Sequence, residues 1–153
     1  MPTFETYSAG SFGYKIDLVA RLIAQRLSQN FKAHNFDVTI EQWRILLYLW
    51  KQDGQSQNSL ALSTQKDEPS VSRILNNMEK HDLVVRKRHP SDRRTNLIYL
   101  TEKGRNLQDD LMAIGSLTNK EATEGISSEE LKQCIETLNK VINNLLRVRE
   151  NSA

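Results

Sequence analysis

The feature that most restricts the fold of this chain is a change of hydrophobic period near residue 83. Before that point, the apolar residues repeat at the spacing of one helical face. They are Val71, Ile74, Leu75 and Met78. After it, residues 83–88 and 96–100 have the pattern of two short strands around the polar loop 89–95. The pattern predicts a helix that is followed directly by a β-ribbon.

Capping signals mark the helices that lead into this segment. Asp67 can cap the free amides of a helix start, and Pro69 is tolerated in a first turn. Thr39 and Gln42 have the spacing of a capping box that opens another helix. That helix is so apolar that it should lie at the centre of the fold. A short helix is predicted around residues 57–62, between these two.

Long helices are predicted on both sides of this region. Residues 12–34 carry one apolar stripe at helical spacing. Thr101 can cap a long helix, and Gly125 ends it. Ser127 and Glu130 form a second capping box that opens the last helix. The predicted fold class is therefore mainly α with a small β-ribbon.

The last helix carries a narrow apolar stripe with 4-3-4-3 spacing, which is typical of a coiled-coil seam. The stripe consists of Leu131, Ile135, Leu138, Ile142 and Leu145. It could pack within one chain. A stripe this narrow on a terminal helix nevertheless favours a partner chain, so we expect a homodimer.

Composition and motifs exclude several classes of protein. With 38% apolar and 26% charged residues, the 153-residue chain is typical of a soluble globular protein. It has no apolar run of the roughly 18 residues that a membrane span needs. We expect a cytoplasmic protein with no membrane partner and with Cys134 as a buried structural residue. No nucleophile elbow, phosphate-binding glycine loop or metal-ligand cluster is found, so we expect neither an enzyme nor a cofactor or metal site.

The positive charge is concentrated in one segment. Residues 84–105 contain seven basic and two acidic residues, whereas residues 1–83 contain nine of each. Residues 106–153 contain five basic and eight acidic residues. A basic segment in a nearly neutral chain favours contact with a polyanion, although a solvated surface explains it equally well.

Three helices followed by a ribbon are the elements of a winged helix-turn-helix. Such a motif needs a helix with small polar groups near its start, and an arm with arginines that reach phosphates or a narrow minor groove. The helix residues that meet the first need are Ser70, Ser72, Arg73 and Asn76. Arg93 and Arg94 at the loop tip meet the second. The motif predicts a protein that binds double-stranded DNA.

The same residues resemble the multiple-antibiotic-resistance regulator (MarR) family. The likeness runs through Pro69–Leu75, Met78–Lys80, Leu83–Arg86, Pro90–Arg94 and Leu100–Gly104. The Asp-Arg-Arg tip followed by Leu-Thr-Glu-Lys-Gly is specific to that family, and the helix order extends the likeness over nearly the whole chain.

This resemblance implies a homodimeric transcription regulator, expected to be a repressor on a pseudo-palindromic operator. It implies a winged helix-turn-helix lobe at residues 37–105. The helices of residues 1–36 and 106–153 would form the dimerisation region. A winged-helix module that binds proteins and no longer binds DNA is the alternative, and the intact Asp-Arg-Arg tip argues against it.

The resemblance also implies roles for individual residues. Arg94 would enter the minor groove, and Asp92 would hold the wing by pairing with a nearby arginine. Phosphate contacts or wing struts are expected at Arg86, Arg88 and Arg93. Asp82 stands where the family usually has glycine, in a turn that needs a left-handed backbone. Because aspartate is among the least penalised substitutes, the turn should survive at a cost of roughly 1 kcal/mol.

Some members of the family bind small aromatic or phenolic effectors between the dimer helices and the winged lobe. By resemblance, Phe12, Tyr14 and Trp43 are the residues that could line such a pocket. Core packing is the ordinary explanation of an aromatic residue such as Trp43 on an apolar helix. The sequence does not identify an effector.

Overall fold

The computed structural model describes residue 1 and residues 3–153, and within them the chain forms eight helices and three short strands. The first helices are α1 (Phe4–Gly10), α2 (Phe12–Ala33), α3 (Ile40–Lys51), α4 (Gln57–Thr64) and α5 (Glu68–Lys80). The later ones are α6 (Glu102–Asn106), α7 (Gln108–Ala122) and α8 (Ser128–Ser152). The strands are β1 (Gln55–Ser56), β2 (Val84–Arg88) and β3 (Asn96–Leu100). The predicted fold class, mainly α with a small β element, is confirmed.

The sheet is antiparallel, with strand order β1-β3-β2. Strands β2 and β3 form the predicted ribbon, in a register that pairs Val84 with Leu100 and Arg88 with Asn96. The two-residue strand β1 was not predicted, and it pairs with Leu97 and Ile98 of β3. A strand of two residues is too short to show an alternating pattern in the sequence. It is therefore defined only by its pairing with β3.

The chain divides into two compact units, Met1–Thr118 and Asn119–Ala153. In the first unit, α3 is central as predicted, since Ile45, Leu46 and Leu49 are almost completely buried. The predicted apolar face of α5 is also buried, from Val71 to Met78. Burial of these faces holds the helix-turn-helix and the ribbon around one core.

Local backbone signals identified several helix ends correctly. The capping boxes at Thr39–Gln42 and Ser127–Glu130 are both formed. Asp67 caps α5, with its side chain accepting a hydrogen bond from the amide of Ser70. Asp82 has a φ of 56°, which is the left-handed conformation expected at the turn after α5.

Three features of the helical region differ from the prediction. Helix α1 was not predicted before α2. The single helix predicted after Thr101 is divided at Leu107, whose ψ of −13° departs from the helical value. Helix α6 is anchored separately, because the indole N–H of Trp50 donates to the carbonyl oxygen of Gly104 at 2.9 Å. A long-range bond of this kind leaves no trace in local sequence patterns.

In the second unit, no residue of α8 is buried. The predicted stripe is partly exposed, with relative exposures of 49% at Ile135, 52% at Ile142 and 65% at Leu145. Cys134 is exposed as well, so the prediction of a buried cysteine is wrong for the single chain. Cys134 lies beside the apolar stripe of α8, and that stripe is itself exposed in the single chain. Among the described residues, no helix is long and apolar enough to cross a membrane.

Candidate nucleic-acid interface

The start of α5 is built around Asp67. Its carboxylate accepts the amide N–H of Ser70 at 2.8 Å and the hydroxyl of Ser70 at 2.9 Å. Both hydrogen bonds lower the pKa of Asp67 below its usual range, and the bond from the amide has the larger effect. The hydroxyl proton of Ser70 is therefore directed at the protein, and the oxygen lone pairs are left to accept.

The outer face of α5 is polar. Arg73 and Asn76 are three residues apart and both are exposed, so they lie next to each other on this face. Lys80, four residues beyond Asn76, is also exposed and continues the row. Lys80 was not among the predicted site residues, although its spacing from Arg73 (seven residues, two helical turns) could have identified it.

Arg86 extends from β2 to α5. Its Nη1 donates to Oδ1 of Asn76 at 2.6 Å and to a carboxylate oxygen of Glu79. Its Nη2 donates to the backbone carbonyl of Ser72 at 3.0 Å and to the hydroxyl oxygen of Ser72 at 3.3 Å. This geometry is what a strut between the ribbon and α5 requires, and DNA contact by Arg86 stays a prediction.

On the other flank of α5, Gln42 holds Asn77. The amide nitrogen of Gln42 donates to Oδ1 of Asn77 at 2.6 Å. Gln42 is buried and is also the N3 residue of the α3 capping box. The helix is thus fixed on both flanks by side-chain bonds to other elements, which limits its rotation about its own axis.

Asp92 organises the loop between β2 and β3. Its carboxylate accepts the amide N–H of Arg94 at 3.0 Å and the hydroxyl of Thr95 at 2.8 Å. The expectation that Asp92 pairs with an arginine side chain is therefore corrected. A carboxylate can form these bonds within three residues of sequence, whereas the guanidinium groups of the loop extend into solvent. The bond from Arg94 is the main cause of a lowered pKa at Asp92.

The loop presents its arginines to solvent. Arg88, Arg93 and Arg94 are exposed. Arg94 also lines a small cavity of about 110 Å³ together with residues from the starts of α4 and α5. These neighbours are Gln57, Asn58 and Glu68, with Thr95 and Asn96 from the loop and β3. The loop and the beginnings of both helices therefore lie on the same side of the first unit.

The predicted effector residues lie in different surroundings. Phe12 is exposed, and the ring of Tyr14 contacts that of Phe4 at 6.2 Å between centroids. Trp43 is buried, with its ring against those of Phe31 and Trp50 at 5.6 and 5.8 Å. Across the described residues, no group of three or more His, Cys, Asp or Glu side chains is placed to hold a metal ion.

A helix-turn-helix with a polar outer face, beside a ribbon with arginines at its tip, defines the winged-helix class of DNA-binding proteins. A family model described as transcriptional regulator SarA/Rot matches residues 27–111, which is more than half of the chain. The chain belongs to this family of transcriptional regulators. Its fold is that of the MarR-type winged-helix regulators, as the resemblance predicted.

Several solved structures are similar to it. One is the S. aureus MepR–DNA complex, at 29% identity and TM-score 0.78, covering 88% of this chain and 98% of MepR. Another is reduced AbfR bound to DNA, at 25% identity and TM-score 0.70, with coverages of 92% and 95%. A MarR regulator from Methanosarcina mazei Go1 is similar in fold, at 23% identity and TM-score 0.82, with coverages of 89% and 96%.

Proposed function

We propose that this protein is a homodimeric repressor that binds a pseudo-palindromic site in double-stranded DNA. In each protomer, α5 enters the major groove and the loop 89–95 reaches the neighbouring minor groove. The observation that carries the proposal is the exposed polar row of Arg73, Asn76 and Lys80 beside a loop whose arginines are free to contact DNA. Because DNA is the target, we propose that the protein acts in the cytoplasm.

The charges of this surface suit a nucleic acid. Arg93 and Arg94 are exposed, while the carboxylate of Asp92 is turned into the loop by its own hydrogen bonds. A carboxylate that accepts two protein hydrogen bonds is directed away from a phosphate. Ser70, Ser72, Arg73 and Asn76 are the proposed base-reading residues, and Arg88, Arg93, Arg94 and Lys80 the proposed backbone or minor-groove contacts.

The open apolar stripe of α8 supports a dimer. About half or more of the surface of Ile135, Ile142 and Leu145 is exposed in the single chain. Phe4, Tyr7, Phe12, Val19 and Leu22 of α1 and α2 are exposed to a similar degree or more. A second copy would remove this apolar surface from water. A two-fold dimer would also present two copies of α5 to successive major grooves, about 34 Å apart.

Release from DNA by a small effector is a further part of the proposal. It would shift the protomers between two spacings, only one of which fits successive grooves. Phe12, Tyr14 and Trp43 are the residues proposed to line the effector pocket. Titration with phenolic acids, read by tryptophan fluorescence and by release of bound DNA, would test this part. Fluorescence and DNA affinity that stay constant up to millimolar concentrations would count against it.

DNA binding is tested by fluorescence anisotropy with the duplex from upstream of the protein's own gene, at several salt concentrations. The logarithm of affinity should fall with the logarithm of salt by about 0.9 for each phosphate contacted. Arg94→Ala should weaken binding about tenfold or more. Lys140→Ala is the matched control, since it removes one exposed positive charge from α8, outside the winged-helix unit. Equal affinities of wild type and Arg94→Ala would contradict the wing assignment.

Dimerisation is tested separately by sedimentation equilibrium. Ile142→Glu places a charge in the stripe and should shift the protein to monomer. Asn144→Glu places the same charge on α8 but outside the stripe, at a residue whose side chain accepts a hydrogen bond from Arg147. It should leave the dimer intact. A wild-type protein that is monomeric at micromolar concentration would refute the dimer without bearing on the DNA contact of a single lobe.

A further inference from the structure

The guanidinium group of Arg86 controls which atoms α5 can offer to DNA. It contacts three turns of the helix, at Ser72, Asn76 and Glu79. Its charge is balanced by Glu79, and its side chain is the least exposed of the described ion-paired arginines and lysines. Arg86 is thus held against the protein, and what matters for recognition is what its bonds do to the two polar side chains beside it.

The Asn76 amide is given a direction by this contact. The side-chain oxygen accepts from Arg86 at 2.6 Å, so the NH₂ group is the end left available. Among residues 1 and 3–153, no hydrogen bond from this nitrogen is found. The Ser72 hydroxyl oxygen also accepts from Arg86, at 3.3 Å, which leaves its proton free to donate.

We propose that Arg86 is a specificity-determining positioning residue, which orients the Asn76 amide so that its NH₂ group is the end presented to a base and thereby directs α5 to guanine in each half-site. This inference rests on the proposed DNA-binding function. It concerns which base edge the helix reads and not whether it binds DNA.

The base edges of the major groove explain the choice. Guanine presents two adjacent acceptors, N7 and O6, whereas adenine presents one acceptor and one donor. Asparagine reads adenine by donating and accepting at once, and it needs both its oxygen and its NH₂ group directed at the base to do so. With its oxygen directed at Arg86, Asn76 presents its NH₂ donor to the base. Arg73, on the same face, carries donors only, so the row as a whole suits the acceptors of guanine.

Ser70 has the opposite polarity, although it lies on the same helix. Its proton is donated to Asp67 at 2.9 Å, so its oxygen is the end left for a base. The contrast shows that the local partner of each side chain, and not the residue type alone, sets what it presents. The position that Ser70 faces therefore gives a second base preference, at a side chain that accepts, for comparison with that of Asn76.

The test begins with selection of duplexes from a randomised pool by the wild-type dimer, followed by selection with Asn76→Ala. The position whose preference disappears in Asn76→Ala is the one that Asn76 faces. We expect guanine there in the wild-type selection. Replacing that guanine by 7-deazaguanine, which lacks the N7 acceptor, should weaken wild-type binding about tenfold. An adenine preference at this position would overturn the inference.

Arg86→Met then removes the guanidinium while keeping an unbranched side chain. The Asn76 amide becomes free to rotate, so the excess of guanine over adenine should fall by about tenfold at that position and stay unchanged at the position that Arg73 faces. Arg88→Met is the matched control on the same face of β2, and it should lower affinity without changing base preference. A purely structural role of Arg86 predicts a uniform loss of affinity with the guanine preference intact, which would overturn the inference.

Asn76→Asp keeps the shape of the side chain and the bond to Arg86, and it replaces the outward NH₂ group by an acceptor oxygen. Overall affinity should fall because a negative charge faces DNA. The preference should change from guanine to cytosine, whose N4 amino group is a donor. Retention of guanine by this variant would also overturn the inference. Salt-dependent duplex binding without any guanine preference refutes only this inference, whereas absence of duplex binding refutes the proposed function as well.

Discussion

The winged region and the terminal helix α8 use apolar residues in opposite ways. In α3 and α5, apolar side chains such as Ile45, Leu46 and Leu75 are buried within the chain, and the polar side chains beside them are paired. In α8, the apolar stripe is exposed and no residue is buried. The core of the winged fold is therefore formed within one chain, whereas α8 leaves apolar surface exposed to water.

Similar substitutions in the winged region and in α8 should have different consequences. A change in the winged region should alter the free energy of unfolding at any protein concentration. A change in the stripe of α8 should act through assembly, so its effect should depend on concentration. The following pairs each compare a site in the winged region with a site outside it, from the largest expected effect to the smallest.

The largest effect is expected at Leu75, which is fully buried on α5. Leu75→Ala should lower the free energy of unfolding by about 3 kcal/mol, because it leaves a cavity in the core. Leu145→Ala removes the same atoms from a residue that is 65% exposed. It should cost less than about 0.5 kcal/mol in dilute solution and more as concentration rises. Urea unfolding at two concentrations measures both, and equal losses at both sites would break the comparison.

The next effect concerns a close backbone contact at Gly104. A Cβ atom there would lie 2.2 Å from the carbonyl oxygen of Leu83, so α6 would have to move. Gly104→Ala should therefore cost roughly 2 kcal/mol. Gly13, in α2, has no atom within 4 Å of the added Cβ. Gly13→Ala should stabilise the chain by up to about 1 kcal/mol through helix propensity. Thermal melting distinguishes the two signs, and a stabilised Gly104→Ala would show that the contact is not restrictive.

A smaller effect is expected at the two left-handed turns. Asp82 has a φ of 56° after α5, and Gly125 has a φ of 77° before α8. Asp82→Gly should stabilise the chain by up to about 1 kcal/mol, and Gly125→Ala should destabilise it by a similar amount. Chemical unfolding monitored by circular dichroism measures both. A loss of stability in Asp82→Gly would mean that the aspartate side chain stabilises the fold by more than the left-handed backbone at this position costs.

The smallest effect is a dependence of stability on pH, which arises from two exposed carboxylates, in the loop at Asp92 and in the α8 cap at Glu130. Hydrogen bonds lower the pKa of Asp92 from 3.8, and the main cause is the bond from the Arg94 amide. Hydrogen bonds likewise lower the pKa of Glu130 from 4.5, and the main cause is the bond from the Ser127 amide. Because each pKa is lower in the folded chain, each group stabilises the fold above its usual pKa. That contribution is lost as pH falls through the lowered value.

Amide hydrogen exchange reports these two sites separately. On acidification below pH 4, protection of the Arg94 amide and of the first turn of α8 should fall, after correction for the intrinsic rate, with no change between pH 6 and 8. Asp92→Asn and Glu130→Gln are the controls, since neither side chain titrates. Acid-dependent protection that persists in Asp92→Asn would assign the wing's pH response to another group.

The two regions also differ in how well their structures could be predicted. In the winged region the buried face of α5, the cap at Asp67 and the left-handed turn at Asp82 were all predicted. The cap and the turn depend on residues within about one helical turn of one another, and the buried face follows the helical period over about two turns. In α8 the spacing of the stripe was predicted, but the exposure of Cys134 was not, since burial depends on what covers a helix and not on its own period.

The residues of the proposed DNA-binding surface were named from the sequence, but their hydrogen-bond partners were not. Arg86 was expected to contact phosphate or support the wing, and its bonds to Ser72, Asn76 and Glu79 span up to 14 positions of sequence. Asp92 was expected to pair with an arginine side chain and instead accepts from the Arg94 amide and the Thr95 hydroxyl. Lys80, which is now added to the proposed surface, was not named, although its spacing on α5 was visible in the sequence.

The sequence by itself determined most helix starts, the buried face of α5 and the family, because capping, turn formation and hydrophobic period are short-range properties of the chain. Only the tertiary structure decided that β1 joins the sheet, that Trp50 anchors α6 at Gly104 and that Arg86 holds the oxygen of Asn76. Each of these joins residues from different elements. Hydrogen bonds at such separations exist only once the core has brought their elements together.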